Sequence, residues 1–207
     1  MTDGRFAPRA PDDVRRLLLD HPLAWLVSAR GGDLRATTLP LRPVFGPDGE
    51  VEALIGHFAR SNPHLETVAA DPRALALFLG PHGYVSPSWL SDRTQAPTWN
   101  YASAQFLLDI TLADDEASLD ALMRDLVGAM EAERPRAWRL EEMGERYRRL
   151  SRGVIGFRAA VRERRPRFKL GQDERPDVFP EILEGLNRDG RADLSRWMAD
   201  FAAPSAG

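Results

Sequence analysis

Apolar positions recur along this chain in two rhythms. Val14, Leu17 and Leu18 lie one helical turn apart behind Asp12 or Asp13, which predicts an N-capped amphipathic helix ending near His21 and Pro22. Residues 24–29 (A-W-L-V-S-A) then read as a buried strand, R-G-G-D as a hairpin turn, and residues 34–41 as the partner strand, with Pro40 confining its end to an edge. P-D-G at 47–49 marks another turn before a strand at 51–56. Asn62 suits an N-cap and Pro63 a first helical turn, opening a helix to about Ala70; with Arg60 beside it, this start is a candidate anion seat.

A short strand at 75–79 and a longer one at 101–112 bring the expected sheet to about six strands by that point. Leu119, Leu122, Met123, Leu126, Val127 and Met130 share one helical face behind Asp114, Asp115 and Glu116, the most regular helix signal in the chain. A charged helix over 140–150 and a strand over 153–161 follow. After a basic run at 162–169, helices at 178–187 and 192–201 close the sequence.

Between the strands at 75–79 and 101–112 lies the densest chemistry. Residues 80–101 contain G-P-H-G-Y-V-S-P-S-W-L and A-P-T-W-N-Y, with Pro81, Pro87 and Pro97 excluding a single helix and predicting short extended pieces joined by turns. Trp89, Trp99, Tyr84 and Tyr101 offer ring faces, and His82, Ser86, Ser88, Thr98 and Asn100 offer hydrogen bonds, a set suited to a flat polar ligand or to plugging a barrel end.

Composition narrows the function classes. The 207 residues are 43% apolar and 29% charged, as in a soluble globular chain. The net charge of −3 gives no long-range attraction for nucleic acid or anionic membrane, so any direct DNA contact has to use a local patch, of which 162–169 is the candidate. The absence of cysteine excludes disulfides, thiolate catalysis and cysteine-bound metal. The start shows no apolar leader, and no run approaches the ~20 apolar residues of a membrane span; a cytoplasmic protein with no membrane partner is the expectation. His21, His57, His64 and His82 form no zinc-type pair, and no phosphate-binding glycine loop or serine-nucleophile motif occurs. Of the 28 basic residues only Lys169 is a lysine, which marks it for a task that a guanidinium performs differently.

Five motifs appear in order: G-H-F-A-R-S-N-P, G-P-H-G-Y-V-S-P-S-W, P-T-W-N-Y, G-V-I-G-F and K-L-G-Q, with T-L-P-L at 38–41 before them. Together they resemble the PaiB-type FMN-binding negative transcriptional regulators, over about residues 6–187. The resemblance implies an α+β fold, a pyridoxamine-phosphate-oxidase-like split β-barrel with flanking helices. Residues 1–170 would form the FMN-binding domain and 171–207 a helical C-terminal extension. It further implies a homodimer with FMN in a cleft at the subunit interface. Carried over by motif, the cofactor-binding residues are Thr37, Thr38, Leu39, His57, Arg60, Asn62, Thr98, Trp99, Asn100, Lys169 and Gln172, with no metal and no assigned catalytic residue.

The chain also departs from the family pattern. Thr38 stands where relatives show a His, Leu90 where they show Tyr, Ala104 and Gln105 for Val-His, and Gly171 and Asp173 for Ser and Asn. The resemblance therefore implies a flavin-binding regulator or redox sensor. The alternatives are an oxidoreductase using NAD(P)H on a small acceptor, and a divergent member without tight FMN binding.

Overall fold

The computed structural model describes residues 4–203. Seven strands form one sheet: β1 (Leu23–Arg30), β2 (Asp33–Pro40), β3 (Arg42–Phe45), β4 (Val51–Ala59), β5 (Arg73–Val85), β6 (Thr98–Ala113) and β7 (Val154–Lys169), in the order β2-β1-β5-β6-β7-β4-β3. Six helices accompany it: α1 (Pro11–Asp20), α2 (His64–Ala70), α3 (Glu116–Glu131), α4 (Glu145–Ser151), α5 (Phe179–Arg188) and α6 (Ala192–Ala202). The chain folds as two compact units. One holds the residues up to Leu17, Leu79–Ala104 and the chain from Arg165 onward; the other holds Leu18–Phe78 and Gln105–Arg164.

Several elements differ from the sequence expectation. R-P-V-F, not expected as a strand, forms the short β3, pairing with β4 from Arg42↔Ile55 to Phe45↔Val51 around a bulge; Pro43 masks it, yet an edge strand tolerates a missing donor. Strand β5 runs on through Gly80 and Pro81 to Val85, so the 80–101 stretch contributes two strand ends around a 3₁₀ turn at Pro87–Trp89. The basic run 162–169 is the second half of β7 and not a segment beyond it. Gly144, at φ +54°, separates a 3₁₀ turn at Leu140–Met143 from α4 where one helix was expected. Asp13 sits inside the first turn of α1, where its carboxylate accepts from the backbone N–H of Arg9 (2.7 Å) and Ala10 (3.1 Å). Asp115 caps α3 as the acidic start suggests, accepting from Ser118 N–H at 2.8 Å.

In the first unit α5 and α6 pack around residues of β5 and β7. Phe168 stacks near Trp197 and Phe201, at centroid separations of 6.2 and 6.0 Å. Arg9 lies over the Phe201 ring at 4.3 Å and donates to the Phe201 carbonyl at 2.8 Å, fixing the end of α6 to the N-terminal segment. Gly185 lies under the Trp89 ring, where a Cβ would overlap the indole. In the second unit, Phe58, Phe157, Leu41 and Leu54 are fully buried, and Phe78 meets Phe106 edge-on at 5.7 Å.

Candidate functional site

Strand alternation divides the first group of candidates. Register pairs Trp25 with Thr38 and Leu26 with Thr37, so Thr38 shares the outer face with Trp25, while Thr37 and the buried Leu39 face the core. Thr37 is committed there. Its hydroxyl accepts from the Asn62 amide at 3.2 Å and lies 2.9 Å from Nδ1 of His64, whose Nε2 lies 2.7 Å from the Ser28 hydroxyl. Asn62 Oδ1 accepts from the His64 N–H at 2.9 Å in the turn leading into α2, while its amide group braces β2. The network is satisfied when Thr37 donates to Nδ1 and the Nε2–H of a neutral His64 donates to Ser28. Burial, then the nearby Arg35 charge, pushes the His64 pKa down and holds it in that neutral form.

His64 and Ser28 were not among the sequence candidates. The signal was a His directly after S-N-P, at the first turn of a short helix, with a hydroxyl on each of two strands; only the strand register shows that they converge. The turn before α2 is not a free anion seat either. Arg60 donates to the Asp114 carboxylate, and α2 has only seven residues.

His57 on β4 lines a cavity of about 1000 Å³ between β4 and α3, whose apolar walls include Leu41, Met123, Val127 and Trp138. Its Nδ1 is buried without a hydrogen-bond partner, and burial lowers its pKa.

The remaining candidates belong to the other unit. Lys169, the last residue of β7, donates from Nζ to the hydroxyl of Thr98, the first residue of β6. Next to Thr98, Trp99 is 54% exposed, with the exposed Tyr84 ring 6.1 Å away on β5. The ammonium and the hydroxyl meet directly, while the two accessible rings pair with each other one residue along β6, where strand alternation turns Trp99 to the face opposite Thr98. Asn100 is fully buried, donates to Sδ of Met198 at 3.6 Å, and leaves Oδ1 without a partner. Gln172 closes the turn after β7, accepting from Leu170 N–H at 2.7 Å and donating to the Phe168 carbonyl at 2.5 Å. Among the departures from the family pattern, Leu90 is buried and Gln105 is exposed.

This donor set fits a flavin mononucleotide: Lys169 and Thr98 offer a cation and a hydroxyl to phosphate or ring carbonyls. No cluster of residues suited to holding a metal ion occurs among the described residues.

Comparison with known proteins follows the same line. A family model described as "Putative FMN-binding domain" matches residues 2–163. "Protease synthase and sporulation protein PAI 2" of Bacillus subtilis (strain 168) is 26% identical over 184 residues, 86% of this chain and 84% of that protein. The crystal structure of the conserved hypothetical protein Rv2991 from Mycobacterium tuberculosis aligns with a TM-score of 0.62 at 10% identity, covering 85% of this chain and 94% of that one. The FAD and heme binding protein from Mycobacterium smegmatis aligns with a TM-score of 0.55 at 20% identity, covering 86% and 79%. At such identities the shared property is the fold, the split β-barrel that the resemblance implied.

Proposed function

The chain belongs to the FMN-binding-domain family, and from that premise we propose that it is a homodimeric FMN-dependent sensor acting as a negative regulator of transcription. The observation that carries the reading is the Lys169 and Thr98 pair, both on motifs that the PaiB-type resemblance marks as cofactor-binding. When bound, FMN supplies one- or two-electron redox chemistry. This chain's residues hold it. Lys169 and Thr98 would bind its anionic or carbonyl oxygens.

One feature favours a sensor over an oxidoreductase. Both ring nitrogens of His64 are engaged by hydroxyls inside the core, which withholds that imidazole from proton transfer to a ligand. Arg162 and Arg164 of the basic run are already ion-paired and Arg167 is engaged, which disfavours direct reading of DNA. Arg162 pairs with Asp109, Arg164 donates to Glu50 at 2.7 Å, and Arg167 donates to the Tyr101 hydroxyl at 3.1 Å while lying over the Phe6 ring. Repression then runs through a ligand-controlled partner more readily than through base contacts.

The homodimer is supported by β1 and β2, which are apolar on both faces. Ala24, Leu26 and Leu39 are buried inward, while Leu23, Trp25 and Leu34 face outward at 62%, 54% and 72% exposure. An antiparallel pair with one wet face normally alternates with polar residues outside, so the outer apolar face suits a second copy of the chain.

Titration of the purified chain with FMN, read by quenching of flavin fluorescence, tests the cofactor; no quenching at ~100 µM FMN would remove it. NADPH or NADH oxidation under air no faster than that of free FMN is expected for a sensor, and turnover well above it would favour the oxidoreductase.

A further inference from the structure

The loop that delivers Thr98 to Lys169 is fastened at two further points. Residues 91–97 run from the 3₁₀ turn at Pro87–Trp89 to Thr98, and the segment after Lys169 runs through the turn at Gly171 into α5. Both belong to the same compact unit. Three side-chain links join them in antiparallel order. Lys169 donates to Thr98, and Arg175 donates to Oδ2 of Asp92 at 2.7 Å. Glu181, in the first turn of α5, accepts from Ser91 through both oxygens, one bond from the backbone N–H and one from the hydroxyl, each 2.6 Å. Farther along α5, Gly185 receives the Trp89 ring.

Between these links the loop is stiff enough to carry the position of Asp92 to Thr98. The Asp92 carboxylate also accepts from the N–H and the hydroxyl of Thr94, at 3.0 and 2.6 Å, and from the Gln95 amide at 2.9 Å, which folds residues 92–95 into a turn. Pro97 then fixes its own φ and keeps Ala96 out of the helical region. Little freedom is left before Thr98 to absorb a displacement. A lone exposed ion pair contributes little, but here Glu181 and Asp92 each receive several bonds, so the contact is a network.

Resting on the reading of Lys169 and Thr98 as flavin-binding, we propose that Glu181 and Arg175 are positioning residues of that site. They clamp the loop 91–97 onto the segment after β7 and so hold the Thr98 hydroxyl against the Lys169 ammonium.

Lys169 is the only lysine, so the untagged chain grown with ¹³C-lysine gives a single Cε signal in a ¹H–¹³C spectrum, and that signal reports on the pair with no flavin present. Thr98→Val removes the hydroxyl and marks the position of the broken pair. Glu181→Ala combined with Arg175→Ala is expected to move the signal most of the way to that position at an unchanged melting temperature, and to weaken FMN about three- to tenfold. Ser91→Ala, which removes one exposed hydroxyl, tests the same link from the loop side and should move the signal in the same direction. Glu181→Gln keeps an acceptor for the Ser91 N–H, and should return both the signal and the affinity close to those of the parent. A signal that stays at the parent position in the double variant or in Thr98→Val, or that Glu181→Gln moves as far as Glu181→Ala does, would overturn the clamp. So would a shifted signal with FMN affinity unchanged. The flavin reading fails separately: a parent chain that quenches no FMN, in which the lysine signal still responds to the variants, loses the cofactor and keeps the clamp on the Lys169 and Thr98 pair.

Discussion

Lys169 and Thr98 are 71 residues apart in sequence, and the Nζ of one donates to the hydroxyl of the other where β7 ends and β6 begins. The sole lysine of the chain is thus not a loose charge at the end of a basic run: it is partly buried, with a fixed partner next to an exposed indole. A charge-assisted bond to an anionic oxygen contributes ~1.5–3 kcal/mol. Lys169→Ala should therefore weaken FMN about ten- to a hundredfold, measured by fluorescence titration. Lys169→Arg should recover only part of the loss, since a planar guanidinium keeps the charge without the shape. If Lys169→Ala binds FMN as the parent does, the flavin is held elsewhere.

The His64 network predicts a stability change with a defined sign. Its pKa in the folded chain is depressed below 6.5 by burial, and that of His57 likewise. The unfolded chain then binds protons more readily than the folded one just below pH 6.5, so the stability these groups contribute is full above that pH and is lost as the pH falls through the folded values. The melting temperature should drop between pH 7.5 and 5.5, and His64→Gln should flatten that slope. An unchanged slope in the variant would show that His64 titrates alike in both states.

Gly171 explains one departure from the family pattern. It sits at φ +90°, and a Cβ there would lie 2.8 Å from the Phe179 ring and 2.9 Å from Cε of Met198. Gly171→Ser, which restores the Ser of the family pattern, should thus destabilise the chain by about 1–3 kcal/mol. Chemical denaturation measures it. A neutral or stabilising effect would mean that the turn after β7 relaxes.

Gln172 spends both ends of its amide on the same turn. Gln172→Ala is expected to cost about 1–3 kcal/mol of stability and to change FMN affinity less than Lys169→Ala does. The reverse order, affinity lost and stability kept, would make Gln172 a direct flavin contact.

The outer face of β1 and β2 gives a test of assembly. Trp25 is exposed and paired across the strands with Thr38 and Leu77, so Trp25→Glu should leave the fold intact and convert a dimer to monomers in sedimentation velocity. A dimer that persists uses another surface.

What the sequence determined by itself was local. The 3, 4, 7 spacing from Leu119 to Met130 fixed α3 because one helical face must be apolar to pack, and R-G-G-D fixed the β1–β2 hairpin through Gly31 and Gly32, both at positive φ. The ordered motifs carried the family and the flavin, since each short run keeps its chemistry wherever the chain places it. Tertiary structure decided the rest. Strand β3 and the far half of β7 were hidden because R-P-V-F and R-E-R-R-P-R-F-K carry Pro and charge that read as loop, and only pairing with neighbouring strands, β4 in the case of β3, makes them extended. Thr37 and Thr38 are adjacent and chemically alike, yet one is locked to His64 and the other faces outward, because strand pleat and register are set by partners across the sheet. The joining of Ser28, Thr37 and His64, of Lys169 with Thr98, and of His57 with the α3 face is likewise a matter of long-range closure, which no local pattern of residues encodes.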